Sequence, residues 1–443
     1  MENNTETKLL QITYRAKEAP KLVFTSLKHL IDANFLWTCF QELKAHKAAG
    51  VDQRTLESYT DTEMITVITD MITKMKENHY RPQPVRRVKI PKDNGKTRSL
   101  GIPTVTDKVV QLAITKILTA IYEPTFLPVS FGYRPDKNPH DALKEINHMV
   151  MGKPVNYIIE ADIEGFFDHV DHQWLRKCLE VRIKDPRFVD LIIAFMKAGI
   201  MEGQTFIPSK SGTPQGGILS PVLANIYLHY VLDLWFTQMI QKKLVGYSQL
   251  VRYADDFIIG CQHEQEAKLI LAELTKRLKE FGLTLSKEKT NLLEFGRFAE
   301  ENIEKRSGGK DRLSTFDFLG FTHYCDKTRD GRFAIKVKTS HKRFSKAIQS
   351  MEDWLQQVRS FLPIQDIWKT MKQKLSGHYQ YYGVSGNFEA IFRFYKQSKK
   401  LAFKWLNRRS QKSSYNYSHF REMCLKYPLP EPKLKYAFYN TYG

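Results

Sequence analysis

The hydrophobic period along the chain changes several times, and each change predicts an element. Up to about residue 60 the apolar set Leu22, Phe24, Leu27, Leu30, Ile31 and Phe35 has helical spacing. The segment "HKAAGVDQRTLESY" breaks that pattern at Gly50, and Asp52 is placed to cap the next helix. In "RPQPVRRVKIPKDNGKTRSLGIP", Pro82 and Pro84 exclude a helix, while Val85, Val88 and Ile90 mark a strand. Asn94-Gly95 is a strong turn signal, so the segment predicts a hairpin carrying Arg86, Arg87, Lys89, Lys92 and Lys96, with Arg98 beyond. A helical period runs from Asp107 to Tyr122. "VNYIIEADI" then predicts a buried strand with Ile158, Glu160 and Asp162 on one face. A helix is expected from Phe167 to Glu180, and "SGTPQGGILSPVLANIYLHYVLD" reads as a Gly/Pro loop feeding a helix from about Ser220. "QLVRYADDFIIG" predicts strand, short polar turn, strand, followed by a helix over Glu264–Phe281. "FDFLGFTHY" predicts another hairpin, after the loop "EKRSGGKDR"; from about Ser340 the pattern is helical and basic. No internal repeat or low-complexity linker is evident.

Composition narrows the classes. At 443 residues the chain has room for two to four structural units, and 42% hydrophobic with 12% aromatic content excludes a wholly disordered polymer. No stretch approaches the roughly 18 apolar residues of a membrane span, and no signal peptide opens the sequence. The five cysteines, Cys39, Cys178, Cys261, Cys325 and Cys424, are too dispersed for a CxxC metal knuckle or a disulfide framework. A soluble cytoplasmic protein without membrane contact is the expectation. The formal charge is +20, and it is concentrated: residues 331–443 hold 22 Lys+Arg against 6 Asp+Glu. Aromatics alternate with these bases, as in Phe392-Arg393-Phe394, which suits phosphates and stacked bases; a solvated helical face explains the same run equally well.

Three carboxylates carry the candidate chemistry. Asp255 and Asp256 sit at the tip of a hairpin flanked by Leu250-Val251 and Phe257-Ile258-Ile259. Adjacent acids there repel each other and resist desolvation. An isolated Ala-Asp-Asp is more often a solvated turn. Asp162, ending a second apolar strand, changes the balance: if the strands are neighbours, carboxylates from two segments converge. Such hard oxygen ligands suit Mg²⁺ bound together with phosphates, and two ions could activate a 3′-hydroxyl and stabilise leaving pyrophosphate.

"YADD" at Tyr253–Asp256, the strand "EADIEGFFDHV" and the loop "GTPQGGILSPVLANIYL" together resemble the reverse transcriptase core. With "RPQPVRRVKIPK", "LGIPTVTDKVVQ", "FGYRP", "FLGF", "GHYQYYGVSGN" and "WLNRRSQ" in order, the chain is similar, from about Ala48 through Gln411, to bacterial group II intron-encoded reverse transcriptase/maturases. The resemblance implies an α+β right-hand polymerase: fingers, a palm with an antiparallel sheet flanked by helices, and a C-terminal helical thumb. It implies an N-terminal extension and start of fingers over 1–60, fingers over 61–155, palm over 156–330 with fingers elements interleaved, a basic thumb or maturase segment over 331–411, and a short extension over 412–443.

Residue by residue, Asp162, Asp255 and Asp256 match the metal-binding triad for two Mg²⁺ ions (Mn²⁺ as substitute), with the Ile163 carbonyl as a further ligand. Phe167 matches the steric gate against a ribose 2′-hydroxyl, with Phe166 its structural neighbour. Lys92 and Arg98 match residues that pair with the incoming triphosphate, a template phosphate being the other reading. Gln215 matches a nucleotide-pocket residue, and Gly212, Gly216 and Gly217 would let backbone approach substrate. Phe318, Leu319 and Gly320 match the region gripping the primer end, although a Gly between aromatics also suits plain core packing. Tyr253 reads either as core or as a primer contact. Lys336, Lys338, Lys342, Arg343 and Lys346 would be phosphate contacts. His378, Tyr379, Tyr381 and Tyr382 are expected to pack helices, and His140, His169 and His172 receive no role.

The implied partners are an RNA template, a DNA primer, deoxynucleoside triphosphates (dNTPs) and group II intron RNA. Many relatives continue into a zinc-bearing HNH endonuclease; with about thirty residues after "NRRSQ" and no paired cysteines or histidines, none is expected here. "GVDQ" also departs from the family's usual glycine after the Asp. The leading reading is an RNA-directed DNA polymerase that assists intron splicing and mobility. A splicing factor with a dead core would require loss of an acid, and all three are present. The same core recruited to phage defence, repair or CRISPR spacer acquisition remains the alternative.

Overall fold

A computed structural model of the chain describes residues 3–91, 97–209, 211–213, 215–307, 312–328, 330–409 and 416–438. Lys92 and the Asn94-Gly95 turn fall outside them. The elements run α1 (Asn3–Glu18), α2 (Ala33–Glu42), α3 (Asp61–Lys76), β1 (Val85–Pro91), β2 (Thr97–Ile102), α4 (Val105–Tyr122), α5 (Pro139–Gly152), β3 (Tyr157–Asp162), α6 (Phe166–His169) and α7 (His172–Glu180). They continue α8 (Pro186–Lys197), β4 (Ile200–Glu202), β5 (Thr205–Ile207), α9 (Ser220–Leu228), β6 (Ser248–Tyr253), β7 (Asp256–Cys261), α10 (Glu264–Glu280), β8 (Asn291–Glu294) and α11 (Ala299–Ser307). Last come β9 (Thr315–Phe318), β10 (Phe321–Lys327), β11 (Phe333–Thr339), α12 (His341–Val358), α13 (Ile364–Tyr382), α14 (Phe388–Leu406) and α15 (Tyr417–Lys426). Among the described residues no helix is long and apolar enough to cross a membrane, and the five cysteines are free thiols.

Side-chain caps set many of the helix starts. Asp32, Thr104 and Asp185 accept from the main-chain N–H groups of Phe35, Asp107 and Phe188. Asp52 was expected to cap the helix after Gly50, but Thr60 caps α3. Asp52 instead accepts from the Arg54 N–H at 3.2 Å, closing a local turn. The helix expected over 167–180 is two helices, because Asp171 accepts from the N–H groups of Gln173 and Trp174 and starts α7 afresh. The helical pattern read from about Ser340 begins as α12 at His341, whereas the start of the 331–411 segment that the resemblance assigned to a helical thumb is strand β11, which pairs antiparallel with β10. Its β-branched Ile335 and Val337 alternate with Lys336 and Lys338, a period of two that the basic composition hid.

The chain divides into two compact units. One comprises Met1–Asn138, Ile159–Ile259 and Gln265–Asn291. Its centre is α4, whose Val109, Ala113, Ile114 and Ile117 are fully enclosed, as is α9 around Leu223 and Ile226. A four-stranded sheet of order β2-β1-β4-β5 covers one region; β1 and β2 form the antiparallel hairpin, while β1 and β4 run parallel, so this sheet is mixed. Within the same unit β6, the start of β7 (to Ile259) and the end of β3 (from Ile159) lie side by side in that order. Of the hairpin bases, Arg86 donates to the Ala49 carbonyl and Arg87 pairs with Glu202, as does Lys89.

The other unit comprises Pro139–Ile158, Gly260–Glu264 and Leu292–Gly443. Its sheet has the order β11-β10-β9. Helices α12–α15 close over a core that includes Leu355, Met371, Leu375, Ile391 and Phe394. As expected for packing groups, His378 stacks on Phe394 at 3.7 Å and Tyr379 is buried. His140 lies flat on Tyr436 at 3.7 Å, which gives this histidine a packing role.

Candidate active site

The apolar flanks of "LVRYADDFII" put β6 and β7 in the core and leave a two-residue turn, Ala254-Asp255, between them. Ala254 takes φ +59°, a left-handed conformation that costs an L-residue on the order of 1 kcal/mol. Gly132 presses against this turn: a Cβ there would lie 2.3 Å from the Ala254 nitrogen, so only glycine fits. Asp256 opens β7, and the neighbouring β3 ends at Asp162, so the three acids come from two adjacent strand ends.

Asp162 is held from a third direction. Its carbonyl accepts from the Ser286 N–H at 2.8 Å, Ile163 bridges to Leu285, and the Glu164 N–H reaches the Thr284 carbonyl at 2.9 Å. That pairing carries Lys289 to the site, where its Nζ lies 2.8 Å from Asp162 Oδ2. Ile163, whose carbonyl the resemblance made a ligand, is buried in this stitched segment.

The electrostatics are those of crowded acids. Desolvation holds the Asp255 carboxyl above its ordinary range, with the Asp162 charge adding, against its own backbone N–H and the charges of Arg98 and Lys289. Asp256 stands further above its range: desolvation acts first, then a hydrogen bond with Asp162 and the charges of Asp255 and Asp162. Lys289 is shifted the opposite way from what burial alone dictates, because the Asp162 hydrogen bond and three carboxylate charges outweigh its desolvation. Among the described residues no three His, Cys, Asp or Glu side chains are closed into a metal cluster. The donor set nonetheless fits a hard divalent cation: all oxygen, mutually repelling, and already drawing in an ammonium.

A second group assembles beside the β1–β2 hairpin. Arg98 Nε donates to Gln215 Oε1 at 2.8 Å, and the Gly101 N–H donates to the Gln215 carbonyl at 2.6 Å. The loop is also latched to α6: the Thr213 N–H donates to the Phe167 carbonyl at 2.6 Å and His172 Nε2 lies 2.7 Å from the Gly212 carbonyl. Gly212 has φ +87°, and a Cβ there would meet the Phe167 and Asp168 carbonyls at 2.8 Å. The close approach expected of this glycine is therefore to its own chain. Between these parts lies a cavity of about 320 Å³, lined by Phe167, Gly101, Gly212, Gln215 and Arg87 among others. Phe167 faces that cavity; Phe166 packs behind it, edge-on at 5.3 Å and against Tyr227. Lys92 lies outside the described residues.

In the other unit, Phe318 and Phe321 are buried and Leu319-Gly320 form the tip between β9 and β10, with φ +51° and +82°. Tyr381 Oη donates to the Leu319 carbonyl at 2.9 Å, and the Arg343 side chain lies against Gly320. Lys336 is engaged by Asp326 at 2.9 Å, and Lys338 sits over the Tyr324 ring at 5.1 Å. Lys342 and Lys346 are exposed four residues apart on α12.

The sequence pattern did not reveal Lys289, which sits in a polar run with no local peculiarity. Nor did it reveal Tyr133, whose φ is +57° and whose phenol is held above its ordinary range by burial first and then by the Asp255 charge, against that of Arg98. Arg252 is the missed residue that did carry a legible signal, since a lone base inside an apolar run marks a buried charge.

Residues 90–323 match the family model described as reverse transcriptase (RNA-dependent DNA polymerase). The chain is 35% identical over 318 residues to "Group II intron-encoded protein LtrA" of Lactococcus lactis subsp. cremoris, covering 68% of this chain and 52% of that protein. It is 34% identical over 241 residues to "Protein YkfC" of Escherichia coli (strain K12), covering 47% and 61% respectively. A 91 kDa protein in the cob intron of Schizosaccharomyces pombe is 30% identical over 347 residues, covering 65% and 42%. The chain thus spans about half the length of the curated relatives it matches.

Proposed function

The chain belongs to the reverse transcriptase family, and from that membership we propose that it is an RNA-directed DNA polymerase that binds intron RNA and assists group II intron splicing and mobility. The observation that carries the polymerase reading is the meeting of Asp162, Asp255 and Asp256 at two adjacent strand ends. The intron role rests on the names of LtrA and the S. pombe relative. Flanking intron RNA domains in the coding sequence would support it, and their absence would favour a recruited polymerase.

In this reading Asp162, Asp255, Asp256 and the Ile163 carbonyl hold Mg²⁺, with Mn²⁺ as substitute. Two bound ions would lower the pKa of the primer 3′-hydroxyl and neutralise charge on the leaving pyrophosphate. Lys289 serves as counter-charge to Asp162 until a cation takes that place. Arg98 and Gln215, joined by their hydrogen bond, form one wall of the nucleotide pocket, with Arg98 directed to the triphosphate. Phe167 presents its ring to the sugar. The test is extension of a DNA primer on an RNA template by the purified protein with Mg²⁺ and dNTPs. Ion-dependent product is expected; none with either Mg²⁺ or Mn²⁺ would overturn the reading.

The basic C-terminal helices serve as the thumb, with Lys338, Lys342, Arg343 and Lys346 on phosphates and the Leu319-Gly320 turn at the primer end. Lys336, already held by Asp326, contributes least. Replacing Lys338, Lys342 and Lys346 by Ala should weaken nucleic-acid binding and flatten its dependence on log salt by about two to three units. Dissociation constants measured across a salt series decide it. Parallel lines of equal affinity would leave these lysines a solvated face.

A further inference from the structure

Arg252 is fully enclosed, and each of its five N–H donors has a partner. Nε and Nη2 grip the two oxygens of Asp233 at 2.7 and 2.6 Å, a bidentate fork with both side chains sealed from solvent. Nη2 also donates to Ser130 Oγ at 2.7 Å, and Nη1 to Asn225 Oδ1 at 3.1 Å. The remaining bond, from Nη1, goes to the Ala254 carbonyl at 2.9 Å. That carbonyl belongs to the peptide joining Ala254 to Asp255, the left-handed turn on which the carboxylates stand.

The partners come from distant parts of the chain, and the backbone is shaped to bring them. Asn225 and Asp233 are eight residues apart, which at 3.6 residues per turn would leave them about 80° out of line. The helix widens to π geometry over His229–Asp233, which absorbs much of that offset and turns both side chains to the guanidinium. On the other side, Phe131 N–H donates to the Arg252 carbonyl and Arg252 N–H to the Val129 carbonyl, placing Gly132 against Ala254. Asn225 Nδ2 closes the ring by donating to the Gly132 carbonyl at 2.8 Å. Every piece of this network bears on one peptide.

We propose that Arg252, locked by Asp233, is the positioning residue that fixes the Ala254–Asp255 peptide and thereby the orientation of the Asp255 and Asp256 carboxylates toward metal. The inference rests on the polymerase reading of the site but assigns a role to a group that touches neither substrate nor ion. A purely structural ion pair would be replaceable by apolar residues of similar volume, since such swaps are often neutral in stability. A positioning guanidinium would not be, because the Ala254 carbonyl then loses its donor.

The test compares Arg252→Met/Asp233→Leu, Arg252→Lys and, as a remote destabilised control, Met71→Ala. Melting temperature, kcat, the KM for dNTP and the Mg²⁺ concentration for half-maximal extension are measured, together with Mn²⁺ binding by electron paramagnetic resonance. Asp255→Asn defines the loss of site binding. The double variant should fold, yet lose about 100-fold in kcat, as expected for a misplacement near 1 Å. Its Mn²⁺ affinity should fall about 10-fold, with the KM for dNTP within about twofold of wild type. Arg252→Lys should not rescue, because an ammonium cannot reproduce the five-donor fork. Met71→Ala should lower the melting temperature and leave ion dependence unchanged. A folded double variant, or a folded Arg252→Lys if the double variant does not fold, with wild-type kcat and Mn²⁺ affinity would overturn the proposal. A wild-type protein that binds Mn²⁺ through Asp255 but extends no primer would overturn the polymerase reading alone, and the Mn²⁺ comparison would still decide the role of Arg252.

Discussion

Asp255→Asn is expected to reduce primer extension by about three orders of magnitude while leaving the fold and nucleic-acid binding intact. The size reflects the task of that charge. Metal-assisted displacement draws several kcal/mol of charge stabilisation from correctly held ions, and each 1.36 kcal/mol is about tenfold in rate. Asparagine keeps the shape of the side chain and removes the charge that holds the cation. Stability should move the other way. Burial and the neighbouring Asp162 already raise the Asp255 pKa in the folded state. A carboxyl whose folded pKa lies above its unfolded value costs stability once pH exceeds the unfolded pKa, so at neutral pH the neutral amide relieves that cost. The melting temperature at pH 7 should therefore be unchanged or higher than wild type. Loss of activity with a lower melting temperature would point to misfolding, and full extension activity would remove Asp255 from the metal site. Affinity for template–primer, measured without divalent ion, is the companion readout and should stay within about twofold, because phosphate contacts rather than this acid supply it.

What the sequence made legible were features whose cause is local. The two-acid turn between apolar runs, the strand ending at Asp162, the β1–β2 hairpin and the "FLGF" hairpin all follow from period, turn chemistry and β-branched content within about ten residues. The resemblance added which of these belong together, and Asp162 does meet Asp256, as Arg98 meets Gln215. The misses share a different cause. Lys289 reaches Asp162 across 127 positions, and only the pairing of residues 284–286 with the end of β3 brings it there. The Arg252 network draws on Ser130, Asn225 and Asp233, and the π-helical turn that aligns the last two leaves no compositional trace. Asp52 was a plausible cap by residue type, but the helix starts eight residues later, where Thr60 accepts from the Glu63 N–H, while Asp52 accepts from the Arg54 N–H. Lys336 looked like one more phosphate contact because charge pattern does not show the β10–β11 register, which pairs Lys336 with Tyr324 and Asp326 with Ala334 and so leaves Asp326 diagonally within reach of Lys336.

Truncating Phe167 to Ala should raise incorporation of ribonucleotides relative to deoxyribonucleotides by on the order of 10- to 100-fold, the range that one steric contact in a pocket can supply. The geometry distinguishes this ring from its neighbour: Phe167 borders the cavity shared with Gly212 and Gln215, whereas Phe166 is turned toward Tyr227. A bulky ring at the sugar leaves no space for a 2′-hydroxyl, and removing it opens that space without supplying any new attraction for the base. Both substrates should lose rate, because a buried Phe→Ala change costs about 3–5 kcal/mol in stability and loosens the loop that hydrogen-bonds to the Phe167 carbonyl. The informative quantity is therefore the ratio of kcat/KM values for the two sugars, which is independent of the fraction of enzyme folded. Phe167→Leu, which keeps most of the volume, should shift the ratio less and fold better. Phe166→Ala should lower stability by a similar amount and leave the ratio where it was, since its ring packs behind the cavity. An unchanged ratio at Phe167 with a shifted one at Phe166 would exchange the two assignments, and no shift at either position would place the gate on another residue of the pocket.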